Sequence, residues 1–218
     1  MQTETAVIVL VVGWIAYFAL HSLLASLKAK HWVARHWPGA VRGYRLFYNL
    51  LSVVLILPLV GITLFYPAPW LWRWEGVAAW VANGLALAAL IGFFWTTRYY
   101  SMAEFLGTQQ WRGHETRVED QEGFYLSPLH RWVRHPWYFL GLVLLWTRDM
   151  NLLFFTTAVI ISLYLFIGSK LEERKLITYH GDVYREYRRR VAGIIPLPWK
   201  HLSPSEAQQL VGNAKQRP

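Results

Sequence analysis

The sequence contains no cysteine. That excludes disulfides, thiolate metal sites and a cysteine nucleophile together. Charge is scarce as well: Asp, Glu, Lys and Arg make up 16% of the 218 residues, against 55% hydrophobic. A soluble domain carries about a quarter charged residues. No glycine-rich phosphate loop, nucleophile elbow or HExxH pattern occurs. His114, His130 and His180 show no recurring metal-ligand spacing. The first apolar stretch lacks a basic leader and a small-x-small cleavage pattern, so it is expected to stay as a mature span rather than a signal peptide.

Apolar length is what the chain has in abundance. Residues 6–27, 46–66, 76–97 and 151–169 are free of Asp, Glu, Lys and Arg. Each has roughly the 17–25 residues that cross a bilayer as a helix. A fifth run, Pro136–Thr147, would be about 18 Å long as a helix and crosses only by tilting or by recruiting Leu129–Val133. The expectation is therefore an all-α, integral-membrane helical bundle of about five transmembrane helices, at 6–27, 46–66, 76–97, 131–147 and 151–169. The last two form a hairpin turning at Thr147-Arg148-Asp149. Residues 1–202 are expected to make one domain, with a cytoplasmic C-terminal helix near its end, and 203–218 a polar tail.

The net charge of +9 suggests nucleic acid until its placement is read. With the N-terminus outside, twenty of the 22 Lys and Arg fall on the cytoplasmic side, and only Arg73 and Arg148 fall outside. That is the positive-inside rule, and it assigns the basic excess to topology and anionic lipid. No nucleic-acid partner is expected. Membrane lipids are, in a bacterial inner membrane with the C-terminus cytoplasmic.

Other landmarks have ordinary membrane explanations. Pro58 lies mid-span and predicts a kink. Trp70, Trp72 and Trp74 read as an interfacial aromatic belt. The small residues from Ala78 to Ala89 predict close helix packing and a buried central helix. His21 at the end of the first span is a weak haem-ligand candidate, since such a histidine is more often packed or hydrogen-bonded. The polar connection 98–134 is long enough to belong to a site.

Two clusters at the edge of the apolar hairpin carry chemistry. Arg134-His135-Pro136-Trp137-Tyr138 fits a simple helix start, with Pro in the first turn and Trp/Tyr at the interface. It also fits a turn presenting a His, a Tyr, an arginine and backbone N–H groups to an anionic group. Glu172-Glu173-Arg174 follows 37 residues after His135. A carboxylate pair at a membrane exit is either solvated among its basic neighbours or holds a cationic ligand. Adjacent helical residues point about 100° apart, so one is expected to face the pocket: Glu172 for the ligand, Glu173 for an arginine. Tyr184 and Tyr187 lie on an amphipathic stretch that reads as an interfacial helix or as a cover over a cytoplasmic pocket.

In order and spacing, Arg134-His135-Pro136-x-Tyr138, the hairpin, Glu172-Glu173-Arg174, Tyr184-x-x-Tyr187 and Ile195-Pro196 resemble the isoprenylcysteine carboxyl methyltransferase and phospholipid N-methyltransferase superfamily. The match spans about 129–199. His21-Ser22-Leu23-Leu24-Ala25-Ser26, Tyr44-Arg45-Leu46-Phe47-Tyr48-Asn49 and Phe105-Leu106-Gly107-Thr108-Gln109-Gln110 are similar to the bacterial branch holding methanethiol S-methyltransferases and NnrU-like proteins. The resemblance implies an S-adenosyl-L-methionine-dependent methyltransferase. The cofactor would be bound by His135, Pro136, Tyr138, Glu172, Glu173, Tyr184 and Tyr187, under a C-terminal roof. The acceptor would be a small thiol such as methanethiol, or a lipophilic thiol or carboxylate. A thiol acceptor needs a cation to favour its thiolate, and Arg134 and Arg188 are the catalytic candidates. The family usually has Gly two residues after the Tyr, whereas here Gly141 comes third. Two other readings stand beside this one: a non-catalytic NnrU-like accessory protein of the same fold, and a nicotinamide-dependent reductase of a larger related fold.

Overall fold

In the computed structural model, residues 2–113 and 124–215 are described. His114 and most of the charged stretch 112–122 lie outside them. The described residues are all-α apart from two short strands. Helices α1 (Thr3–Ala25), α2 (Leu27–His36), α3 (Val41–Phe65), α4 (Gly76–Thr97), α5 (Met102–Leu106), α6 (Thr108–Trp111), α7 (Pro136–Trp146), α8 (Leu152–Arg190) and α9 (Pro204–Lys215) follow in order. Strands β1 (Trp70–Trp72) and β2 (Met150–Asn151) pair antiparallel. Four segments are long and apolar enough to cross a bilayer: Thr3–Ala25, Pro38–Phe65, Gly76–Thr97 and Leu152–Arg190. With the shorter apolar α7 they give the membrane-type helical bundle that the apolar runs predicted.

The described residues divide into two compact units. The first comprises residues 2–73, 101–113 and 149–161. Its core is Ala6, Leu10 and Trp14 of α1 against Leu59 of α3 and Leu153 of α8. Trp14 Nε1 donates to Thr157 Oγ1 at 3.1 Å, and Thr157 shares a 2.8 Å hydrogen bond with Thr63. Such side-chain bonds hold transmembrane helices together where burial of apolar surface supplies little. α1 stops at Ser26, whose hydroxyl caps α2 through the Ala29 N–H at 3.2 Å. The basic stretch after the first span is thus a second helix. α3 runs unbroken through Pro58. Gly107, at φ +89°, separates α5 from α6, and a Cβ there would lie 2.7 Å from the Leu46 backbone nitrogen. Only glycine meets both demands.

The second unit comprises residues 74–100, 124–148 and 162–215. α4 packs on α7, and its Ala82, Ala86, Ala89 and Thr96 are all buried. The opposite face of α4, including Val77, Trp80, Ile91 and Phe94, is strongly exposed. α4 is therefore not the fully buried central helix that its small residues suggested. Trp137 Nε1 donates to Thr96 Oγ1 at 2.9 Å, so the end of α4 meets the start of α7. A second core gathers Val183, Tyr184, Tyr187, Val191, Leu202, Ala207 and Leu210.

Three sequence expectations change here. The fourth span does not extend over 131–147. Pro128–Arg131 form a 3-10 turn and α7 begins only at Pro136. Proline bars the preceding residue from helical ψ, and His135 sits at φ −122°, ψ 69°. At 11 residues α7 is about 17 Å long. The helix of the last span does not stop at 169: α8 continues to Arg190, turning at Gly181 with φ 56°, so the amphipathic Tyr184–Tyr187 stretch is its continuation. The third concerns the segment from Ser203, expected as a polar tail. It folds as α9, with Ala207 and Leu210 buried.

Candidate active site

The site is built entirely within the second unit, where α7 begins beside the middle of α8. Pro136 ends the irregular approach to α7 and turns His135 toward α8. The Arg134 and His135 backbone N–H groups are spent on the Ala192 and Gly193 carbonyls, at 2.9 to 3.2 Å. These two groups are therefore not available to an anion.

Arg134 is the hub. Its Nε and Nη2 donate to Glu173 Oε1 at 2.9 and 2.7 Å, and Nη1 donates to the Arg188 carbonyl at 2.9 Å and to the Val191 carbonyl. The side chains of Arg134 and Glu173 are 7% and 3% exposed. A buried charge pair of this kind is tolerated because nearly every donor has an acceptor. Glu173 thus takes an arginine, the partner assigned to it from sequence.

His135 lies between both carboxylates. Its Nε2 is 3.1 Å from Glu173 Oε1 and its Nδ1 is 3.4 Å from Glu172 Oε2. One imidazole spans the angle between two adjacent helical residues, so both glutamates meet the same group. Burial disfavours charge on this ring, but the hydrogen bonds and negative field of Glu172 and Glu173 outweigh it and raise the pKa. Tyr138 stacks on His135, centroids 5.1 Å apart, and its hydroxyl donates to Glu172 Oε2 at 3.0 Å. Glu172 differs from its neighbour in access: its side chain is 46% exposed.

Tyr184 and Tyr187 are both buried. Tyr187 donates to the His130 carbonyl at 2.7 Å, while the buried Tyr184 hydroxyl has no hydrogen-bond partner among the described residues. A buried hydroxyl left unpaired costs about 1–3 kcal/mol, which marks it as a place where a ligand would bond. Arg188 is exposed, its backbone carbonyl held by Arg134. Pro136 is buried and sets the turn.

With this geometry in view, the relatives decide the family. The chain is 32% identical over 198 residues to the methanethiol S-methyltransferase of Mycobacterium tuberculosis, covering 83% of this chain and 74% of that protein. It is 31% identical over 181 residues to methanethiol S-methyltransferase 2 of Bradyrhizobium diazoefficiens, covering 81% and 68%. The chain belongs to the methanethiol S-methyltransferase family. It is 29% identical over 194 residues to the enzyme of the same name from Pseudomonas deceptionensis, covering 84% and 70%. No family model matches it, and no solved structure does. The protein is thus a methyltransferase of the isoprenylcysteine methyltransferase-like bacterial branch that the motifs resembled. The accessory-protein reading is not favoured by these relatives.

Sequence reasoning missed one member of this methyltransferase's site region, His130. It is buried, accepts at Nδ1 from the Ser127 backbone N–H at 3.1 Å, and meets the Tyr100 hydroxyl at Nε2, 3.1 Å away. An acceptor Nδ1 means the neutral ring carries its proton on Nε2. Burial, reinforced by the charge of His135 and opposed by Glu172, lowers the His130 pKa to about 4. The signal was present: Ser127-Pro128-Leu129-His130 is a capping box with His in the usual Glu/Gln position.

Other sequence candidates lie apart from this cluster. His21, the haem candidate, is hydrogen-bonded to Tyr48 at 2.7 Å and Ser52 at 3.1 Å, the packed alternative. The N-terminal motifs meet one another in the first unit, where Arg45 and Asn49 bond the Phe105 carbonyl at 3.2 and 3.1 Å. Gly141 faces open space, with nothing within 4 Å of an added Cβ. The family position itself is taken by Leu140, which is buried and lies against Gly92.

Proposed function

We propose that this methyltransferase is an integral-membrane enzyme using S-adenosyl-L-methionine to methylate a small thiol such as methanethiol. It would lie in a bacterial inner membrane with its N-terminus outside and its C-terminus cytoplasmic. The observation that supports this most is the pairing of an accessible carboxylate, Glu172, with a buried one, Glu173, around His135. The cofactor is a cationic amino acid bearing a sulfonium, a ribose and a carboxylate. The residues present fit it. Glu172 offers an accessible negative charge, the buried Tyr184 hydroxyl offers an unpaired donor, and the exposed Arg188 offers a cation for a carboxylate.

When bound, S-adenosyl-L-methionine supplies an electrophilic methyl group with its own leaving group. The chain has then to orient, desolvate and manage one proton. Glu172 would hold the positive end of the cofactor, positioned by Tyr138 and His135. Glu173 would act through others, fixing Arg134 and His135. Arg134 is fully engaged with Glu173 and two carbonyls, so it serves position and not thiol activation. Arg188 remains the cation able to favour a thiolate. Alignment of thiolate and methyl would supply several kcal/mol of the barrier reduction. A lipophilic thiol or carboxylate acceptor would use the same machinery.

The test is cofactor binding by calorimetry on detergent-purified protein, followed by mass-spectrometric detection of dimethyl sulfide from methanethiol. Wild type is expected to bind, and Glu172→Gln to lose binding while keeping its melting temperature. A folded wild type that binds no S-adenosyl-L-methionine would overturn the reading.

A further inference from the structure

A cavity of about 540 Å³ lies in the second unit, away from the Glu172–His135 cluster. One wall is the segment approaching α7, with Tyr125, Ser127 and Arg131, joined by Tyr99 just past α4. The other wall is the face of α9 bearing Ala207, Val211 and Gly212. The volume is that of a small-molecule site. Its lining is mainly apolar, and among the described residues Arg131 is the one charged side chain on it. Arg131 Nε donates to the Leu202 carbonyl at 3.0 Å, while its two terminal nitrogens have no partner among the described residues. A guanidinium presents those two groups as a fork matched to phosphate.

Position narrows the ligand further. The end of α4 and the start of α7 lie together, joined by Trp137 and Thr96, and Tyr99, just past that end of α4, lines the cavity. There the apolar helices give way to polar chain, the level at which headgroups lie beside a membrane protein. Tyr99 and Tyr125 are both exposed, as expected of side chains placed at such a boundary.

We propose that this cavity is a binding site for an anionic phospholipid, its phosphate held by Arg131 and its acyl portion against the apolar face of α9. Only the membrane half of the functional reading underlies this; methyl transfer does not. Occupancy also reaches the site region, because Ser127 lines the cavity and its backbone N–H bonds the buried His130.

Gly212 offers a clean probe. An added Cβ there meets nothing within 4 Å, so this position on the cavity wall accepts a side chain at its base. Purified full-length protein in neutral detergent, without methyl donor, would be titrated with dioctanoyl phosphatidylglycerol and followed by native mass spectrometry. Dioctanoyl phosphatidylcholine and inorganic phosphate would be run in parallel. Expected is saturable binding of phosphatidylglycerol, about tenfold tighter than phosphatidylcholine, from a charge-assisted phosphate contact. Gly212→Phe is expected to weaken it at least tenfold with unchanged melting, and Arg131→Gln to erase the headgroup preference. Equal binding by wild type and Gly212→Phe would overturn the proposal. So would equal affinity for the two lipids in wild type, or displacement of phosphatidylglycerol by an equal concentration of phosphate. Because no methyl donor is present, failure here and failure of the enzymatic reading are separately visible.

Discussion

Glu172 and Glu173 are sequence neighbours with opposite expected roles, and substituting each with glutamine separates them. Glu173 Oε1 takes two hydrogen bonds from Arg134 and one contact from His135, in a setting where neither charged side chain is more than 7% exposed. Removing one partner of a buried pair costs about 3–5 kcal/mol, because the other charge stays buried. Glutamine keeps an acceptor oxygen, which favours the lower end, about 3 kcal/mol. Glu172 is 46% exposed, so solvent screens its interactions and its loss costs under about 1 kcal/mol. For a chain of this size 1 kcal/mol moves Tm by about 2–4 °C. Glu173→Gln should therefore lower Tm by roughly 6–12 °C and Glu172→Gln by less than about 4 °C. Tryptophan-fluorescence melting of both variants in one detergent reads this directly. Arg134→Met/Glu173→Leu, which removes both charges, should recover much of the loss. Equal shifts for the two glutamate variants would show that Arg134 reaches water and that the buried pair is not what holds α7 to α8.

The remaining expectations are shorter. Gly107→Ala should destabilise by about 2 kcal/mol or more, through its positive φ and the clash with Leu46, read by chemical denaturation. His130 is neutral when folded, with a pKa near 4 against 6.5 when exposed. Its contribution is intact above pH 6.5 and lost as pH falls toward 4, about 3 kcal/mol in all. Wild-type Tm should fall through that window, and His130→Gln should flatten the decline. Leu210→Ala should cost about 2–4 kcal/mol if α9 is an integral wall of the core, measured by melting; a neutral result would return 203–218 to the status of a dispensable tail.

Much of this was legible in the sequence because a bilayer imposes simple demands. Charge-free runs located the long helices, and the position of Arg134-His135 and Glu172-Glu173 at the edges of such runs flagged the cluster. Charge content tracks the membrane but not the helix, and so α8 was cut short at Ser169 although it continues to Arg190. Residues 131–135 looked like helix because the partners of Arg134 and His135, the carbonyls of 192 and 193, lie far along the chain. For α9 the signal was there and composition masked it. Ser203-Pro204-Ser205-Glu206 is a capping box with proline in the first turn, and the Ser203 N–H indeed donates to Glu206 Oε2 at 2.7 Å.

The arginine hub also dictates an order of assembly. Arg134 finds Glu173 39 residues later and the carbonyls of Arg188 and Val191 later still. A chain growing from its N-terminus therefore leaves that guanidinium unanswered until residues 173 to 191 have been made. The cluster cannot form in any product that ends before residue 191. Truncated or stalled chains would keep their membrane helices but lack a closed site, so a half-made copy is inert by construction.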